Sequence, residues 1–156
     1  MADKLPMSRA AYDKLLVDLD NLKKNERPAI IEEIAVARAQ GDLSENAEYH
    51  AAKEKQGMIE DRIREIEDKI ARAEIMTADP SESPHIIFGA SVKVKNLSTG
   101  KSIEYTLVGS DEVDPLQGKI SSASPIGQSL IGKKAGDIVE AQLPRGPLKL
   151  EILGYR

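Results

Sequence analysis

Residues 52–73 read AKEKQGMIEDRIREIEDKIARA, and within them Ala52, Gln56, Ile59, Ile63, Ile66, Ile70 and Ala73 step alternately four and three apart. Such a spacing keeps one stripe of a helix against a partner helix, the seam of a coiled coil. Upstream, Leu15, Leu19 and Leu22, then Ile30, Ile34 and Ala37, form a second stripe, with Ser8 a good N-cap ahead of it. The two halves of that stripe are offset by eight residues rather than seven, and Pro28 falls in the gap. Proline removes an amide donor there, so the sequence predicts one kinked helix from Ser8 to about Gln40. Only Gly41 to about Asn46 separates the stripes, too short for anything but an antiparallel return. The expected element is a helical hairpin roughly 45 Å long, at ~1.5 Å per residue.

Downstream the texture changes. Ala78–His85 holds Pro80, Ser81, Ser83 and Pro84 and reads as an interdomain linker. Beyond it the period becomes two: Ser91–Lys95 alternates, as do Ile103, Tyr105 and Leu107, with Ser98, Thr99 and Gly100 as the turn of a hairpin. Further strands are expected at about Ile138–Leu143 and Leu148–Leu153, with a short helix at Pro125–Ile131. The fold class is therefore α+β, with a helical coiled-coil hairpin over residues 1–77, a linker at 78–85 and a small antiparallel β-sheet domain over 86–156.

Charge and composition narrow the function. Residues 1–77 carry 13 Lys or Arg against 17 Asp or Glu, and the rest carry nine against nine, so the net −4 belongs to the hairpin. A chain of that sign repels a phosphate backbone, which excludes a free-standing nucleic-acid binder. The absence of cysteine excludes disulfides, thiolate metal sites and a cysteine nucleophile. No run of about 18 apolar residues and no leader pattern is present, and a cytoplasmic protein is expected. His50 and His85 stand apart without metal-type neighbours, which argues against zinc.

The hairpin tip, Gly41 to Asn46, is the richest segment. Asp42 and Glu45 put two carboxylates at the end of a rod, and carboxylate oxygens suit Mg²⁺, which takes only one or two from protein when waters and phosphates supply the rest. The same residues also read as plain capping chemistry, with Gly41 at a helix C′ position, Asp42 as an N-cap and Glu45 completing a capping box.

Three stretches carry a family resemblance: RAQGDLSENAEYHAAKEKQ at residues 38–56, HIIFGASVKV at 85–94 and SPIGQSLIGKKAGD at 124–137. They resemble the bacterial Gre transcript cleavage factors, and the resemblance runs over nearly the whole chain. It implies an FKBP-like C-terminal domain that docks at the rim of the RNA polymerase secondary channel while the hairpin reaches the catalytic centre. It implies that Asp42 and Glu45 share a Mg²⁺ with the polymerase, that Ser44 helps position the attacking water, and that Arg38 and Lys53 contact the RNA 3′ segment. Tyr49, just inside the second helix, is placed by the sequence to stack on an extruded RNA base. Ser124, Pro125 and Ile126 become the candidate polymerase contact. On this reading the chain is a monomeric elongation factor, not itself an enzyme, whose partners are polymerase and its nascent RNA. Within the family, the acidic hairpin favours the branch that removes short backtracked fragments.

Other readings compete with these assignments. Arg38 and Lys53 also suit a solvated helix face, Tyr49 a packed seam end, and Pro125 an ordinary first helical turn. A channel-binding inhibitor without cleavage activity is the near rival, disfavoured by the intact Asp42 and Glu45 pair. A folding helper is the rival from another class. An apolar proline-binding pocket calls for aromatic walls, and the C-terminal half offers only Phe88, Tyr105 and Tyr155.

Overall fold

The computed structural model describes residues 3–41 and 45–156. They divide into two compact units, one built from Tyr12–Ala73 with the residues before Leu5, the other from Leu5–Ala11 with Glu74–Arg156.

A short strand β1 (Leu5–Met7) leads into helix α1 (Arg9–Asn21), whose N-cap is Ser8 as expected: its Oγ accepts the Ala11 amide at 3.1 Å. A π-helical turn over Leu22–Glu26 follows, and helix α2 (Arg27–Arg38) continues from it. The break expected at Pro28 is thus a wide turn immediately before the proline. Arg27 N–H bonds back to Leu22 O, five residues earlier. A π turn takes in the extra residue, which is how a stripe spaced by eight keeps one face. Leu15, Leu22, Ile30, Ile34 and Ala37 are all buried, and Leu19 is half-buried.

Helix α3 (Ala47–Arg72) answers with Ala52, Ile59, Ile63 and Ile66 buried. The chain then turns extended at Ala73, opening strand β2 (Ala73–Ile75), which pairs with β1. Cross-helix contacts prove the antiparallel sense, because partners on α3 fall in number as those on the first helix rise. Lys23 meets Glu67 at 3.2 Å, Arg27 grips Glu60 at 2.8 and 2.9 Å, and Glu33 meets Lys55 at 3.6 Å. Each buried aliphatic side chain contributes about 1.5–3 kcal/mol, whereas ion pairs this open to solvent contribute little. The seam therefore holds the hairpin, while the ion pairs select its register.

The second unit is a five-stranded sheet whose strands lie side by side in the order 119–121, 102–108, 91–96, 146–155 and 138–143. The expected hairpin is present as β3 (Ser91–Asn96) and β4 (Ser102–Val108). Strand β5 (Lys119–Ser121) follows, then helix α4 (Pro125–Leu130), β6 (Ile138–Leu143) and β7 (Gly146–Tyr155). One edge corrects the purely antiparallel expectation: β5 pairs parallel to β4. Residues 109–118 make this possible, since two 3₁₀ turns, Ser110–Glu112 and Pro115–Gln117, carry the chain back beside Thr106 of β4. Ile86, Val92, Val94, Leu107, Leu130, Leu150 and Ile152 form the core, all essentially closed to solvent. Residues 78–85 include a 3₁₀ turn, Pro80–Glu82, capped by Asp79, and Tyr155 Oη donates to Ser83 O at 3.0 Å.

Candidate functional site

The last carbonyls and first amides of any helix lack regular intrahelical partners, so a hairpin end has both kinds of group to satisfy. Asn46 serves both. Its Oδ1 accepts the Tyr49 amide at 3.0 Å as the N-cap of α3, and its Nδ2 donates to Ala37 O at 2.7 Å. One side chain thereby staples the two helices at their junction, worth about 1 kcal/mol as a cap and about 0.5–1.5 more for the second bond. The capping role expected of Asp42 falls outside the described residues; the N-cap of α3 is Asn46. Glu45 stands immediately before that cap, not at the third helical position of a capping box. Gly41 adopts φ +130°, a left-handed value that suits glycine.

Asp42 and Ser44 lie outside the described residues. Glu45 is exposed, and with Gln40, Asn46, Ala47 and Glu48 it lines an open concavity of about 450 Å³. Among the described residues no group of three His, Cys, Asp or Glu is placed to hold a metal ion. An exposed carboxylate such as Glu45 suits a hard cation only if further oxygens arrive from elsewhere.

Two of the three expected RNA-contacting residues meet. The Arg38 guanidinium carbon sits 5.8 Å from the centroid of the Tyr49 ring, a cation–π contact worth about 0.5–1 kcal/mol at an exposed site. His50 packs edge-on to the same ring at 5.6 Å. Lys53 lies one turn further along α3, exposed, with Nζ donating to Gln56 Oε1 at 3.2 Å.

In the second unit, Ser124 is the N-cap of α4. Its Oγ accepts from Gly127 N at 3.1 Å and donates to Ser121 O at 2.6 Å. Pro125 is exposed in the first turn, and Ile126 is half-buried against the core. The Ser124 hydroxyl is thus occupied within the fold, and the Pro125 ring is the most accessible of the three.

Two family signatures match the chain in sequence order. One, described as "Transcription elongation factor, N-terminal", covers residues 5–75. The other, "Transcription elongation factor, GreA/GreB, C-term", covers residues 81–155. The chain belongs to the GreA/GreB family of transcription elongation factors. It is 49% identical to the transcription elongation factor GreA of Thermodesulfovibrio yellowstonii over 153 residues, which is 98% of this chain and 97% of the relative. Identity to GreA of Helicobacter pylori strain 26695 is 50% over 153 residues, 97% of this chain and 92% of the relative. Among solved structures, that of the transcription factor Gfh1 is similar at 25% identity and a TM-score of 0.47, covering 100% of this chain and 99% of the other.

In this Gre chain the N-terminal signature spans the whole hairpin and its tip, and the C-terminal one spans the sheet and α4. No helix among its described residues is long and apolar enough to cross a membrane. Sequence reasoning missed two tip residues, Asn46 and Glu48. Three potential caps, Asp42, Ser44 and Asn46, crowd one turn, and their spacing does not choose among them. The Ala37 carbonyl at the end of α2, which also accepts from Gln40 N at 3.1 Å, does.

Proposed function

We propose that this Gre factor stimulates RNA polymerase to cleave backtracked nascent RNA, entering the secondary channel tip-first and leaving bond breaking to the polymerase. The observation that carries the reading is the stapled tip. Asn46 ties the two helices together next to an exposed Glu45 at the far end of an antiparallel helical hairpin, in a chain whose relatives are elongation factors.

The chain's own residues divide the work. Glu45 with Asp42 offers carboxylate oxygens that would hold a Mg²⁺ jointly with the polymerase, an ion that neutralises charge on a transferring phosphoryl group when bound. Ser44 orients the attacking water. Arg38, its guanidinium held beside the Tyr49 ring, presents that charge to the RNA backbone, and Lys53 adds a second positive charge below it. Pro125, flanked by Ser124 and Ile126, meets the polymerase surface. Two carboxylates do not complete a nuclease, so the chain acts as an accessory to the polymerase in the bacterial cytoplasm.

The test is Mg²⁺-dependent cleavage in a backtracked polymerase complex, with and without the protein. Asp42→Ser leaves the cap of α3 untouched, since Asn46 provides it. The variant is expected to melt as wild type and to lose stimulation. Wild-type cleavage rates from Asp42→Ser would remove the carboxylate from the mechanism.

A further inference from the structure

Leu116 is 99% exposed, the most exposed of the large apolar side chains among the described residues. It stands at the apex of a tied-down turn. Asp114 and Lys119 exchange backbone hydrogen bonds at 3.0 Å each way, Asp114 O also accepts from Gln117 N, and Asp114 Oδ1 accepts from Leu116 N at 3.2 Å. Gly118 closes the turn at φ +71°, and a Cβ there would come within 2.6 Å of Glu104 O. The turn therefore lies against β4, its backbone tied on both sides of a leucine that stands in solvent. At the near end of the same segment, the Glu112 carboxylate accepts from Ser8 Oγ at 2.5 Å and from Gly109 N at 3.3 Å.

Turn formation uses Asp114, Pro115 and Gly118, and folding gains nothing from a leucine left in water. A rigid, exposed apolar side chain does suit binding, because little ordering entropy remains to be lost. The surroundings describe the partner. Asp111, Glu112 and Asp114 flank the apex, and no Lys or Arg occurs from residue 102 to residue 118. A second copy of the chain would bring the same acidic loop against itself. We propose that Leu116 anchors the protein to RNA polymerase by filling an apolar socket rimmed by Lys or Arg side chains.

This assignment rests on the polymerase reading above, and the experiment separates the two. Labelled full-length protein is titrated against polymerase in a backtracked complex, reading the dissociation constant directly and cleavage at saturation in parallel. Leu116→Ser is expected to weaken binding about tenfold or more, with unchanged melting and an unchanged cleavage rate at saturation. Leu116→Met should bind within about twofold of wild type, being a volume-conserving swap. Gln117→Lys should weaken binding and Gln117→Glu should not. Wild-type affinity in Leu116→Ser overturns the anchor, and wild-type affinity in Gln117→Lys overturns the basic rim. Free protein that dimerises through Leu116, seen by sedimentation, assigns the socket to a second copy and also overturns it. Wild-type protein that binds but leaves cleavage unchanged sinks the functional reading alone, while wild type that fails to bind polymerase sinks both.

Discussion

The Asn46 amide nitrogen reaches the Ala37 carbonyl at 2.7 Å while the oxygen of the same amide caps Tyr49 at 3.0 Å, so one side chain closes both helices of the hairpin. Asn46→Asp keeps the capping acceptor but sets a carboxylate against a carbonyl. It is expected to cost about 1–3 kcal/mol through the lost donor, measured by thermal melting. Stimulated cleavage should fall further than that loss of stability accounts for, because Glu45 loses its fixed neighbour. Equal losses in both assays would assign Asn46 to stability alone.

The Arg27 guanidinium beside Glu60 holds that carboxyl below its usual range, chiefly through their hydrogen bonds. The folded state thus binds fewer protons than the unfolded one in acid. The pair's contribution is present above the unfolded pKa and is lost as pH falls through the lowered folded value. The melting gap between wild type and Glu60→Gln is expected to be widest at neutral pH and to begin narrowing only as pH falls below the ordinary glutamate value of about 4.3. A gap independent of pH would show that packing of the stem, not charge, is what Glu60 supplies.

Gly127, buried in the first turn of α4, has room for no side chain: a Cβ would come within 2.3 Å of Ser121 O and 3.0 Å of Ser122 Cα. Gly127→Ala must push α4 away from β5. Denaturant titration is expected to show a loss of about 1–3 kcal/mol, and binding to polymerase should weaken as Pro125 moves with the helix.

The π turn at Leu22–Glu26 holds one residue more than the seam requires. Deleting Asn25 restores a spacing of seven between Leu22 and the isoleucine that is now Ile30. Far-UV circular dichroism is expected to show equal or greater helicity with a melting point near that of wild type. Inserting an alanine beside Asn25 should lower it, since the turn then has two residues to absorb. A deletion that unfolds the hairpin would mean that the wide turn itself is required.

Legibility in the sequence followed element length. The seam of α3 and the stripe of the first helix carry enough repeats to fix their partners, and an offset of eight residues marked where the ladder changes. It did not reveal the form of that change, because a proline kink and a π turn both absorb an extra residue. Strands β1, β2 and β5 span three residues each, too few for a period to register. Their pairing comes from tertiary contacts such as Met76 N–H to Met7 O at 2.9 Å. At the tip, residue types pointed to carboxylates. The cap was decided by a carbonyl nine positions away, which no local pattern contains.

Because Leu5–Ala11 belongs with Glu74–Arg156, synthesis and assembly run on different clocks. A ribosome releases Ser8 long before Glu112, so that hydrogen bond waits while the intervening hairpin, made from contiguous sequence, can already pair. A fragment beginning at residue 78 would emerge with the Glu112 carboxylate bereft of its serine and β2 missing along with β1. Excising the sheet as an independent module therefore calls for grafting those early residues back, not merely choosing a convenient cut.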